Sequence, residues 1–268
     1  MSKLMPHVME RLYSAEMDFG CYDGEQRLTY MLATIPRSGS TYCAIRLWQT
    51  GLLGAPMEYL NFRFVGDILR RLDYVPHLAG EISEAGIAKY WGDIKRLRTS
   101  PNGVFGYKMF GVNYLEISRR VPGFLRQIVP DYVIYLTRRD LIGQAMSYSR
   151  AQRSRRWFAG MSDTPEVRYD FEHIKQCISS IEDQKSSWER MFAITGVRPI
   201  HICYEDLLAD SAGVIRALLL DMGIPPEPAD ELAIPLIERQ TDGVSREWRD
   251  RFAEDSAREL AISAVTDE

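Results

Sequence analysis

Short apolar runs alternate with amphipathic stretches over most of this chain. Tyr30–Ile35 is an apolar run of strand length, and Pro36 ends it because proline cannot donate to a sheet ladder. Helical spacing follows from about Ser40 to Gly51, with Ile45, Leu47, Trp48 and Leu52 facing inward and Gly51 or Gly54 as the stop. Residues 60–100 carry Leu69, Leu72, Ile87, Trp91, Ile94 and Leu97 at helical spacings. That predicts two or three helices, with turns near Pro76-His77 and Gly80. Pro101-Asn102-Gly103 is a turn, and Val104–Phe110 a strand parallel to the first. A helix over Ile117–Val129, interrupted by Pro122, leads to a strand at Asp131–Thr137 and a helix over about Leu141–Gln152. Phe171–Ile194 is a long amphipathic helix with Ile174, Cys177, Ile181, Trp188 and Met191 on one face. Arg198–Tyr204 reads as a final core strand, Asp206–Met222 as a helix, and 236–264 as helix before an acidic tail. Residues 1–27 are polar and read as a peripheral N-terminal arm.

Strands alternating with helices predict an α/β fold, a parallel sheet flanked by helices in one domain over residues 1–268. Ligands of such sheets bind beyond the carboxyl ends of the strands. Two motifs sit at such ends. Arg37-Ser38-Gly39-Ser40-Thr41 joins the first strand to a helix start, where loop N–H groups, hydroxyls and one guanidinium converge on an anion. It lacks the Gly-Lys-Ser/Thr ending of a nucleotide-triphosphatase loop. Arg139 ends the third strand, eight residues before Ser147 on the next helix, so the two can pinch a second anion.

The chain has 268 residues, 46% of them hydrophobic, and a net charge of −4, which argues against a broad polyanion-binding surface and so against a nucleic-acid partner. The four cysteines, Cys21, Cys43, Cys177 and Cys203, have neither metal-ligand nor disulfide-framework spacing. Residues 1–20 interleave charges and no run approaches a membrane span, so a cytoplasmic protein without a membrane segment is expected.

Thr34–Tyr42 resembles the 5′-phosphosulfate loop of sulfotransferases that use 3′-phosphoadenosine 5′-phosphosulfate (PAPS), and Arg139 to Ser147 is similar to their 3′-phosphate clamp. Gly54-Ala-Pro-Met-Glu-Tyr-Leu-Asn-Phe62, Gln144-Ala-Met-Ser147 and Arg150–Trp157 resemble the bacterial carbohydrate sulfotransferases typified by trehalose 2-sulfotransferase. Arg37 stands where the cytosolic branch has lysine, and Arg63–Ser100 matches no family segment.

The resemblance implies a P-loop-like sulfotransferase fold and transfer of a sulfuryl group from PAPS to a carbohydrate hydroxyl, leaving 3′,5′-ADP, without a metal. It implies donor contacts from Arg37, Ser38, Gly39, Ser40, Thr41, Arg139 and Ser147, and a general base in Glu58. Tyr59 and Phe62 of the same motif, with the helical segment 60–100, would lie on the acceptor side. Arg239-Gln240 would close over the nucleotide. Lys108, a charge inside an apolar strand, either reaches the transferring sulfonate or Glu58, or snorkels to water. Trp157 stacks on a sugar or anchors the core. Tyr204-Glu205-Asp206 reads as helix capping, and His201 as a core histidine. The rival functions are a nucleotide kinase or phosphotransferase and a non-catalytic adenosine-nucleotide binder. A small carbohydrate is the expected partner, with a homodimer left open.

Overall fold

The computed structural model describes residues 11–62, 65–74, 83–157, 167–226 and 243–266. Four parallel strands form its sheet in the order β2-β1-β3-β4: β1 (Leu28–Thr34), β2 (Val104–Phe110), β3 (Tyr132–Thr137) and β4 (Ile200–Cys203). From β1 the chain crosses to β2 on one side and then to β3 on the other. A crevice therefore opens at the carboxyl end of β1, the usual ligand position in such sheets. The register sets Thr34 beside Phe110, and Thr137 beside Cys203. Strand ends and the loops after them thus share one edge.

Helix α1 (Ser40–Gln49) follows β1, and α2 (Gly66–Arg71) and α3 (Glu84–Arg98) precede β2. The predicted turns near Pro76-His77 and Gly80 lie outside the described residues. Trp91 of α3 packs edge-on against Phe105, Tyr107 and Phe124, with ring centroids 5.2–5.9 Å apart. β2 ends the sheet, yet most of it is buried. Residues 54–57 run along its free edge, where the Lys108 N–H donates to the Met57 carbonyl at 2.9 Å. Such cover silences an edge that would otherwise pair with another chain. Gly54 makes the approach: its φ is +62°, and a Cβ there would stand 2.8 Å from the Val104 carbonyl.

Helix α4 spans Gly111–Arg120, starting six residues before the predicted Ile117. Its first turns carry Asn113 and Glu116, polar residues that break the apolar period. It stops at Val121, because Pro122 cannot continue it, and a 3₁₀ turn over Pro122–Ile128 follows. Helices α5 (Leu141–Ser154) and α6 (Phe171–Thr195) match their predicted ranges closely.

β4 is shorter than predicted and lies at the sheet edge, with His201 exposed. The expectation of a core strand and a core histidine there is corrected: only one face of β4 is covered. The predicted helix at 206–222 is two, α7 (Tyr204–Ala209) and α8 (Ser211–Asp221). The Asp210 carboxylate breaks the run by accepting the Gly213 N–H at 2.8 Å as an N-cap. Helix α9 (Gly243–Thr266) closes the chain and buries Trp248 and Phe252.

Residues 11–18 of the expected N-terminal arm are not peripheral, and residues 1–10 lie outside the described residues. Leu12, Tyr13 and Met17 join the core, and fully buried Arg98 binds the Leu12 and Ser14 carbonyls and lies 2.9 Å from the Asp18 carboxylate. These few apolar residues hide in a polar stretch, which is why composition misplaces it.

Candidate active site

The loop after β1 is shaped by partners from three other elements. Trp188 Nε1 of α6 donates to the Thr34 carbonyl at 3.0 Å, and Gln144 Nε2 of α5 to the Pro36 carbonyl at 2.8 Å. Arg138 Nη1 donates to the Arg37 carbonyl at 3.3 Å, and Thr34 and Ser38 share a hydroxyl hydrogen bond of 2.7 Å. Gly39, at φ +84°, precedes α1 and gives it no side-chain cap. The first N–H groups of α1 are then donors available to an anion. A Cβ on Gly39 would fall 2.2 Å from the Tyr204 ring, so sterics as well as φ require glycine.

Arg37 also has a left-handed backbone, φ +63°, which costs an L-residue about 1–2 kcal/mol. Its side chain holds it there: Nε donates to Ser147 Oγ at 2.9 Å and Nη1 to the Trp157 carbonyl at 2.6 Å. Burial first, and then the charges of Arg138 and Arg150, together lower its pKa to about 10. A half-buried guanidinium beside two other positive charges is an arrangement that favours a nearby anion.

Arg139 and Ser147 belong to one βα unit, but their side chains have different partners. Ser147 takes Arg37. Arg139 forms a bidentate pair with Asp206 at 2.7 and 2.8 Å, which raises its pKa. Asp206 is held below its ordinary range by that pair. Glu205 accepts the Arg139 and Asp140 N–H groups at 3.0 and 3.1 Å. The capping expectation for Tyr204–Asp206 is thus corrected. Glu205 binds the end of β3 rather than its own helix, and Tyr204 packs on the anion loop with Arg138 over its ring at 5.5 Å. Asp140 caps α5 through the Gly143 N–H at 3.0 Å, and Arg249 of α9 holds it at 2.8 Å. Burial pushes the Asp140 and Glu205 carboxyls up. Their hydrogen bonds win, with help at Asp140 from Arg249 and Arg138, and both end below the usual carboxylate range.

Glu58 lies where the chain leaves the edge of β2, and Lys108 Nζ reaches its Oε1 at 2.8 Å. The two side chains are 9% and 2% exposed. The same ammonium stands 3.4 Å from Thr41 Oγ1 in the anion loop. Lys108 therefore does not snorkel; it joins Glu58 to the loop. Asn61 Nδ2 donates to Glu58 Oε2 at 2.8 Å.

Tyr59 is fully buried, stacked on Phe105 with its hydroxyl on the Ala55 carbonyl, so its ring belongs to the core. Phe62 is half-buried, 6.2 Å from Tyr90. Trp157 lies 6.1 Å from Tyr148, beside the loop through its carbonyl. Ser38 is fully buried and Ser40 nearly so. Arg239 and Gln240 lie outside the described residues. Arg150, Tyr204 and Glu205 stand beside the loop, a position the sequence reading did not give them: it placed Arg150 in a family motif and read Tyr204 and Glu205 as helix capping. For the latter two the signal was an acidic run at the end of the last strand. Burial pushes the Cys43 thiol up to about 12, an inert core group. Among the described residues, no group of three His, Cys, Asp or Glu could hold a metal ion. None of the described helices is long and apolar enough to cross a membrane.

A family model described as Stf0 sulphotransferase matches residues 29–255. A trehalose 2-sulfotransferase of Mycolicibacterium smegmatis is 29% identical, covering 86% of this chain and 96% of the relative. A trehalose 2-sulfotransferase of Mycobacterium tuberculosis is 26% identical, covering 85% and 96%. The solved structure of a sulfotransferase from Alicyclobacillus acidocaldarius aligns with a TM-score of 0.43 and 16% identity, covering 88% of this chain and 95% of that one.

Proposed function

This chain belongs to the Stf0 sulphotransferase family, and from that premise we propose that it transfers a sulfuryl group from PAPS to a hydroxyl of trehalose or a related glycoside. One observation carries the reading. A single buried ammonium, Lys108, stands 2.8 Å from the Glu58 carboxylate and 3.4 Å from Thr41 of the anion loop. A basic group and an anion cradle thus meet across one charge.

The residues present fit an anionic donor. Gly39 opens α1 without a side-chain cap, which leaves the first N–H groups of the helix for a phosphate, and Arg37 and Arg138 add positive charge beside it. The donor supplies the sulfuryl group. Loop N–H groups, Thr41 and Arg37 would hold its 5′-phosphate, and Arg139 with Ser147 its 3′-phosphate. In the transfer, the sulfur–oxygen bond to the 5′-phosphate breaks and one to the acceptor oxygen forms. Glu58 takes the acceptor proton, and Lys108 and Arg37 offset the charge left on phosphate. Arg139 has to exchange Asp206 for the nucleotide, so that pair is a competitor for binding. The kinase reading falls with the family assignment.

The test is incubation with PAPS and trehalose, then with other glycosides, followed by mass spectrometry. A sulfated sugar formed one-for-one with 3′,5′-ADP supports the proposal. Release of 3′,5′-ADP without a sulfated sugar across the panel refutes the carbohydrate acceptor.

A further inference from the structure

The Glu58 carboxylate is gripped at both oxygens. Lys108 takes Oε1 from β2, and Asn61 takes Oε2 from the same loop at 2.8 Å. Asn61 is tied to Glu58 a second time, since its backbone N–H donates to the Glu58 carbonyl at 3.0 Å. The two bonds close a turn over Glu58-Tyr59-Leu60-Asn61 that folds the amide back over the carboxylate. The Asn61 amide must present its nitrogen, because its oxygen there would face the Glu58 Oε2, acceptor against acceptor. Buried Tyr59 pins the middle of the turn: its ring stacks on Phe105 and its hydroxyl reaches Ala55. Asn61 therefore has little freedom to leave.

We infer that Asn61 is the positioning residue of the Glu58 base, fixing the carboxylate plane and directing its free lone pairs toward the acceptor hydroxyl. The inference rests on the reading of Glu58 as base. A carboxylate with one ion-pair partner can swing about its last torsion, since such terminal torsions have broad wells. A second donor on the other oxygen stops the swing. In general a hydrogen-bond donor stabilises a carboxylate over a carboxylic acid. Among the described residues, the other groups facing Glu58 are Lys108 and Tyr13 of the N-terminal segment, which is hydrogen-bonded at the Glu58 backbone. Neither changes in an Asn61 variant.

The experiment compares wild type with Asn61→Ala and Asn61→Asp. Glu58 is titrated by carboxyl-carbon NMR, its signal assigned by loss in Glu58→Gln, and transfer from PAPS is measured on the sugar the wild type sulfates. The titration midpoint should move to higher pH in Asn61→Ala and further in Asn61→Asp, which sets a carboxylate against a carboxylate. In Asn61→Ala, kcat should fall about 10- to 100-fold, the range of one hydrogen bond to a charged group. KM for the sugar and binding of 3′,5′-ADP should stay as in wild type. An unmoved midpoint, or a kcat that falls only as far as the folded fraction does, overturns the role of Asn61. If Glu58→Gln turns over at the wild-type rate, the base reading itself fails. A moved midpoint would then mark Asn61 as the partner of a merely structural carboxylate.

Discussion

Replacing Lys108 with methionine keeps the length of the side chain and removes its charge. The structure sets the magnitude. At 2.8 Å the attraction between Lys108 and Glu58 is about 6 kcal/mol at an effective dielectric of about 20. Much of that offsets the cost of taking both groups out of water, so the intact pair adds little net stability. Removing one partner is different, because the desolvation of the other is then uncompensated. Lys108→Met should therefore destabilise the fold by about 3–5 kcal/mol, a large part of a typical 5–15 kcal/mol. Asn61 alone cannot make good the loss, since it supplies a dipole and no charge. The double variant Lys108→Met/Glu58→Gln removes both charges of the pair and should return to within about 1 kcal/mol of wild type. Urea unfolding of the four proteins gives the coupling directly. A Lys108→Met cost below about 1 kcal/mol would show that the pair is wet in solution and would refute the buried bridge.

Gly39→Ala should abolish thermal stabilisation by 3′,5′-ADP and cost about 1–3 kcal/mol of stability, because a methyl at φ +84° strikes Tyr204; a retained ligand shift in a thermal melt would contradict the cradle. Arg139→Ala should weaken 3′,5′-ADP several-fold more than AMP by calorimetry; equal losses would remove Arg139 from the 3′-phosphate. Asp140 and Glu205 are depressed carboxylates, so their stabilisation is full above the ordinary carboxylate pKa and is lost as pH falls below about 4 through their folded values. Melts from pH 6 to 3 should show a steeper loss in wild type than in Asp140→Asn.

The sheet was legible because β1 and β2 are short apolar runs with hard boundaries. Tyr30–Ile35 ends at Pro36, and Val104–Phe110 follows Pro101-Asn102-Gly103. The loop Arg37–Thr41 was legible as a candidate anion cradle because its donors are contiguous. Boundaries failed where local pattern and tertiary cover disagree. The polar first turns of α4 concealed its start, and the half-exposed β4 read as longer than it is. Nothing in Leu12–Met17 announces that Arg98, over eighty residues away, pulls it into the core. Pairs between distant segments were open only as options. Lys108 wanted a partner, but that it bridges Glu58 and Thr41 follows from the route of residues 54–57 along β2. The grip of Glu205 and Asp206 on the end of β3 likewise depends on β3 and β4 being neighbours.

Glu58→Gln, assayed with PAPS on a sugar that the wild type sulfates, tests the central claim most directly. Glutamine keeps the shape and the Asn61 contact while removing basicity, although Lys108 loses its counter-charge, so folding is verified by 3′,5′-ADP binding. The account predicts normal 3′,5′-ADP affinity with kcat lower by about 10²–10⁴-fold, the usual contribution of a positioned general base. Turnover near the wild-type rate on folded protein would contradict it and assign the proton to another group.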